Sequence, residues 1–146
     1  MVTTLLLADD DPDDRLLVRD ALDETRWTAE LQTVEDGVEL MDYLHHRGRY
    51  ADPSEAPPPS LILLDLKMPR KGGHQALKEI KEDPNLRRIP VVILTTSRQE
   101  QDISRSYGLG VNSFITKPSS FGALVEMMRV LERYWFEVVT LPGERA

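Results

Sequence analysis

Two uninterrupted apolar tetrads, Leu61-Ile62-Leu63-Leu64 and Val91-Val92-Ile93-Leu94, limit the possible folds of this chain more than any other feature. A strand with one wet face alternates apolar and polar residues, whereas a strand covered on both faces is apolar throughout. The tetrads therefore read as central strands of a parallel sheet. Leu5-Leu6-Leu7-Ala8, Leu31 to Val34 and Val111 to Ile115 read as three further strands. Helical patterns follow the strands at roughly 12–24, 37–47, 73–82, 99–107 and 120–137. Strand and helix in regular alternation predict an α/β doubly wound sheet with right-handed crossovers. A length of 146 residues fits one domain, read as 1–146 with a core at about 3–137 and a tail at 138–146.

Two punctuation signals set boundaries. Asp11-Pro12 reads as an N-cap followed by proline at the first helical position, with Asp14 near the same helix start. The first strand then ends at about Asp9-Asp10. The stretch from Asp52 to Pro59 carries four prolines and reads as an exposed loop, neither helix nor central strand. A tolerated surface insertion is the preferred reading of that loop, and a partner contact is the alternative.

Composition excludes several classes. The absence of cysteine removes disulfides, thiolate metal sites and a thiol nucleophile. A net charge of −7 with scattered lysines and arginines argues against nucleic acid as a partner. There is no apolar run of membrane-spanning length and no signal-like opening, so no membrane partner is expected and the expected location is cytoplasmic.

In an open parallel sheet, ligands bind beyond the carboxyl ends of the strands. The first strand delivers Asp9, Asp10 and Asp11 there, and the third delivers Asp65. The fourth delivers Thr95, Thr96 and Ser97, and the fifth delivers Thr116-Lys117-Pro118. Clustered carboxylates repel one another unless a cation compensates, and Mg²⁺ favours one or two carboxylates plus waters and phosphate. Lysine and threonine at the same edge suit phosphoryl oxygens. The set reads as a phosphoryl-transfer site in which Asp65 is the nucleophile. Taken singly, Asp10 or Asp11 reads as a helix cap, Asp65 as a turn residue and Lys117 as a solvated lysine; the argument lies in their convergence.

These residues resemble the receiver domain of two-component response regulators. The resemblance rests on Leu5 to Pro12, Leu61 to Pro69, Val91 to Thr96 and Phe114 to Pro118, in order and spacing. It implies a flavodoxin-like (βα)5 fold with strand order 2-1-3-4-5. It further implies phosphorylation of Asp65 from a histidine of a sensor kinase. Asp10, Asp65 and the backbone carbonyl of Lys67 would ligate Mg²⁺, with Mn²⁺ as an alternative ion, and Asp9 would act through water. Lys117 would contact the phosphoryl group, the peptide before Pro118 would be cis, and Thr95 and Phe114 would form the switch. Asp11, Thr96 and Phe114 depart from common receiver residues without removing a required group; Thr96 would narrow access to the phosphoryl group. Nine residues after Glu137 are too few for a DNA-binding output domain. The proline-bearing loop and the ending from Tyr134 to Pro142 are similar to stand-alone receivers that partner bacterial phytochromes.

The last helix carries more apolar surface than one core needs. Leu124, Val125, Met128, Leu131 and Trp135 form one stripe; Ala123, Met127, Val130 and Tyr134 form a second beside it. Met127, Val130, Tyr134, Val138 and Leu141 are candidate contacts of a homodimer, against the alternative that the tail folds back over them. The output surface would be helix four, strand five and helix five. His45, His46 and His74 have no metal-site spacing, and Gly72-Gly73 is a turn rather than a nucleotide loop. Two other functions compete: an aspartate-nucleophile phosphatase and an unphosphorylated interaction module. Lys67 stands where such phosphatases need an acid, and the full acidic and lysine set disfavours the module.

Overall fold

The computed structural model describes residues 3–138, with side chains through Phe136. Strands β1 (Thr4–Ala8), β2 (Glu30–Val34), β3 (Leu61–Leu64), β4 (Val91–Thr95) and β5 (Ser113–Thr116) form one parallel sheet in the order β2-β1-β3-β4-β5. Helices α1 (Pro12–Glu24), α2 (Gly37–His45), α3 (Gly73–Glu82), α4 (Glu100–Gly108) and α5 (Phe121–Glu132) connect or follow the strands. This is the flavodoxin-like order that the resemblance implied.

Successive strand residues point to opposite faces, so each apolar run serves two cores. Leu6, Ala8, Ile62, Leu64 and Ile93 pack under α2 and α3, against Leu40, Leu44, Leu77 and Ile80. Leu5, Leu7, Leu61, Leu63 and Val92 pack under α1 and α5, against Val18, Leu22, Val125 and Met128. All five residues of β1 and β4, and all four of β3, are buried, which is why these runs lack polar alternation.

Local signals place the helix starts. The Asp11 side chain accepts from the Asp13 N–H with Pro12 in the first turn, Asp36 accepts from Glu39 N–H, and Ser120 accepts from Ala123 N–H. The core stripe of α5 is buried as read from its spacing, with Leu124, Val125, Met128, Leu131 and Trp135 all inside. Beyond α5 the chain continues as a π-helical turn, Arg133–Val138, where the Phe136 ring lies 4.9 Å from that of Trp27. Helix α4 differs from the others in burying a single residue, Ser106.

Two sequence expectations change. The fifth strand starts at Ser113 rather than Val111. Val111 N–H instead closes α4 by donating to the Ser106 carbonyl, and the Asn112 side-chain oxygen accepts from Val91 N–H. The stretch 52–59 is not wholly exposed or irregular: Pro53–Glu55 forms a 3₁₀ turn, and Ala56 is fully buried. The Tyr43 hydroxyl pins this stretch by donating to the Pro57 carbonyl at 2.7 Å.

Candidate functional site

Parallel strands end together, so their following residues meet at one edge. Asp9 and Asp10 follow β1, Asp65 follows β3, Thr95 closes β4 and Lys117 follows β5. One carboxylate oxygen from each of Asp9, Asp10 and Asp65 lies within 4.8 Å of the others. Asp9 and Asp65 are buried, whereas Asp10 is exposed. Three carboxylates so placed suit a hard divalent cation, and they form an acidic metal site.

Lys117 reaches across this edge. Its ammonium lies 2.8 Å from Asp9 Oδ2, 2.7 Å from Asp14 Oδ2 and 3.1 Å from Asp65 Oδ2. Burial opposes the charged lysine, but the hydrogen bonds it donates to Asp14 and Asp9 and the charge of Asp65 outweigh it, raising the Lys117 pKa. Burial pushes the Asp9 carboxyl up despite Lys117 and the Asp11 N–H, because 1% exposure leaves it little water. Its Oδ1 accepts from Asp11 N–H at 3.0 Å, so both Asp9 oxygens are engaged within the protein.

Backbone contacts fix the nucleophile candidate. Asp65 N–H donates to the Ala8 carbonyl at 3.0 Å, and Lys67 N–H approaches Asp65 Oδ1 at 3.4 Å. A Cβ on Gly73 would run into the Asp65 carbonyl oxygen, so only glycine lets α3 begin this close to the acid. On the far side of the loop, Arg70 pairs with buried Asp36 at 2.8 Å, and Gly37 N–H donates to the Lys71 carbonyl. The segment carrying Lys67 is thereby tied to the start of α2.

Thr95 is fully buried; its Oγ1 lies 3.5 Å from Ser97 N–H, and its carbonyl accepts from Lys117 N–H at 2.7 Å. Thr96 points outward and is exposed. Phe114 is half-buried against the α2–α3 core, and its N–H donates to the Tyr107 hydroxyl at 3.2 Å. The cis expectation before Pro118 is corrected: that peptide is trans, as are all those among the described residues. Proline's tertiary amide separates the two isomers by only about 0.5–1 kcal/mol, so the Lys-Pro pair alone does not fix the isomer.

Val130 and Tyr134 are about half exposed, whereas Met127 is partly packed on the core beneath α5. Leu141 and the side chain of Val138 lie outside the described residues. Asp14 is a site contact that its sequence position presents only as a helix-end acid; it stands in the first turn of α1, whose start faces the same sheet edge.

The sequence matches the response regulator receiver domain over residues 5–129. The chain belongs to the response regulator receiver family. Response regulator Rcp1 of Synechocystis sp. is 43% identical over 139 residues, spanning 95% of this chain and 92% of Rcp1. The phosphorylated cyanobacterial phytochrome response regulator RcpA superimposes with a TM-score of 0.90 at 43% identity, covering 98% of this chain and all of that one. The Mn²⁺-bound form of Rcp1 superimposes with a TM-score of 0.85 at 42% identity, covering 97% and 99%. This receiver is a phosphoacceptor signalling protein, not an enzyme that turns over a separate substrate. No described helix is long and apolar enough to cross a membrane.

Proposed function

We propose that this receiver accepts a phosphoryl group on Asp65 from a phosphohistidine of a sensor kinase of the bacterial phytochrome type. One observation carries the reading: buried Asp65 belongs to the carboxylate cluster and at the same time accepts a hydrogen bond from the Lys117 ammonium. In the transfer, an Asp65 carboxylate oxygen forms the new bond to phosphorus. The phosphorus–nitrogen bond of the donor breaks, and its electron pair returns to the imidazole. Hydrolysis later adds water at phosphorus and restores the Asp65 carboxylate with release of inorganic phosphate.

The residues divide the work. Asp10, Asp65 and the Lys67 carbonyl would hold Mg²⁺, or Mn²⁺ in its place, with Asp9 acting through water. The chemistry that cation would supply is neutralisation of charge on phosphoryl oxygens. Lys117 meets a phosphoryl oxygen with its ammonium, and Thr95 turns its hydroxyl toward another. Thr96 lies at the rim and narrows access. Phe114 follows Thr95 by moving inward, changing the surface of α4, β5 and α5. The phytochrome assignment is supported by the likeness to RcpA over nearly the whole chain. A homodimer formed through Met127, Val130, Tyr134, Val138 and Leu141 is supported by the half-exposed side chains of Val130 on α5 and Tyr134 on the turn after it.

Incubation with a small phosphodonor and Mg²⁺, followed by intact mass, tests the assignment. The wild type gains one phosphate and Asp65→Asn gains none. Equal labelling of both proteins moves the acceptor elsewhere. A bacteriophytochrome kinase that labels an unrelated receiver equally fast removes the partner assignment.

A further inference from the structure

Lys117 has three carboxylates around one ammonium, and two of them have a second claim. Asp9 and Asp65 belong to the cluster suited to a divalent cation; Asp14 does not. A cation in the cluster would draw on the Asp9 and Asp65 carboxylates, and a lysine only 15% exposed would then need another anion. Asp14 stays at the mouth on the first turn of α1, one-third exposed, with the shortest of the three distances.

We propose that Asp14 is a positioning residue that holds the Lys117 ammonium while Asp9 and Asp65 serve the cation. Without Asp14, Lys117 has, among the described residues, only Asp9 and Asp65 as anions within reach. It then competes with the cation for both. With Asp14, the lysine moves aside without losing its ion pair, yet remains poised for a phosphoryl oxygen. This inference rests on the proposed phosphoacceptor site and adds to it the residue that makes lysine and cation compatible.

The neighbouring Asp13 supplies the control. It shares the first turn of α1, is exposed, and its replacement changes net charge and helix-end electrostatics equally. Mg²⁺ affinity of the full chain is measured by calorimetry for Asp14→Asn and Asp13→Asn. Asp14→Asn binds roughly threefold or more weakly than Asp13→Asn, the scale of one partly exposed ion pair. Asp14→Glu recovers most of the loss. In a Lys117→Met background the difference between the two asparagine variants vanishes. Equal affinities in the Lys117 protein overturn the inference. So does a difference that survives Lys117→Met, since Asp14 would then act on the cation directly. Failure of the wild type to bind Mg²⁺ overturns the proposed function itself, and this inference with it.

Discussion

Lys117 Nζ lies 3.1 Å from Asp65 Oδ2 although the strands that deliver them are separated by a third. Asp65 follows β3, Lys117 follows β5, and β4 runs between, so the lysine side chain arches over the end of β4 at Thr95. The backbone N–H of Lys117 anchors that arch on the Thr95 carbonyl. Asp65, Asp9 and Thr95, to which the proposed function gives the roles of phosphoacceptor, cation partner and switch hydroxyl, are thus coupled by one residue.

Lys117→Met separates its electrostatic roles. The change leaves buried Asp9 and Asp65 without their ammonium and costs about 3 kcal/mol in metal-free protein, as expected when one partner of a buried pair is removed. Mg²⁺ then binds more tightly than to wild type, because Asp9 and Asp65 no longer have an ammonium neutralising them before the cation arrives. Thermal melts with and without Mg²⁺ check this. A larger cation-induced rise in Tm for the variant is the expected result, and an equal rise contradicts it.

Gly73→Ala tests the close approach of α3 to the phosphoacceptor. The added methyl meets the Asp65 carbonyl oxygen, which is held by β3 and does not yield as a flexible side chain would. A loss of about 1–3 kcal/mol is expected from overpacking, together with slower phosphorylation as Asp65 is displaced. Gly122→Ala, where the new methyl meets nothing, serves as comparison. Matching melts and labelling rates for the two variants would remove the steric argument.

His74 supplies a pH dependence. Its Nε2 lies 2.9 Å from Ser106 Oγ, whose own hydrogen goes to the Asp102 carbonyl. Burial first, and then the charge of Arg105, hold the imidazole below its ordinary 6.5, against the pull of Asp102. The unfolded chain therefore binds this proton at higher pH than the folded one. Stability is full above about pH 6.5 and falls as pH drops through the folded value. His74→Gln removes this titration. Chemical denaturation at about pH 7.5 and about pH 5.5 is expected to show a smaller acid loss for the variant than for wild type. Equal losses would assign the acid sensitivity to other groups.

Val130→Asp with Tyr134→Arg tests the second apolar stripe, which runs from α5 into the π-helical turn. Both wild-type side chains stand about half exposed and outside the two core clusters, although the Tyr134 ring meets the buried Trp135 ring edge-on at 5.2 Å. The double variant is expected to keep its melting temperature within about 1 kcal/mol of stability while shifting sedimentation from dimer to monomer. Wild-type protein that sediments as a monomer in both phosphorylation states ends the dimer reading.

The central strands were legible because burial on both faces leaves no room for polar alternation, as Leu61–Leu64 and Val91–Thr95 show. The site was legible because parallel strands end in step, so Asp9, Asp65 and Lys117 meet whatever the intervening loops do. What escaped depends on contacts between segments distant in sequence. Val111 carries a strand-like side chain, yet its N–H closes α4. The proline-rich stretch looks solvent-bound, but Ala56 is buried beside the Tyr43 phenol, which burial pushes up to about 12 and so keeps protonated as a donor. Asp14 looks like a helix-end acid until Lys117 is found 2.7 Å away.

The single buried residue of α4 sets how this helix can answer to the site. Leucine-anchored helices resist displacement because movement opens an apolar void. Here the inward contact is a serine hydroxyl shared with His74, and Ser97 ties the first turn through Asp102 at 2.6 Å. Hydrogen bonds exchange partners at about 1 kcal/mol each, so sliding α4 is a trade of similar bonds rather than the opening of a cavity. An α4 held in this way suits the reversible switching proposed for Asp65, since neither its displacement nor its return has to open or refill an apolar cavity.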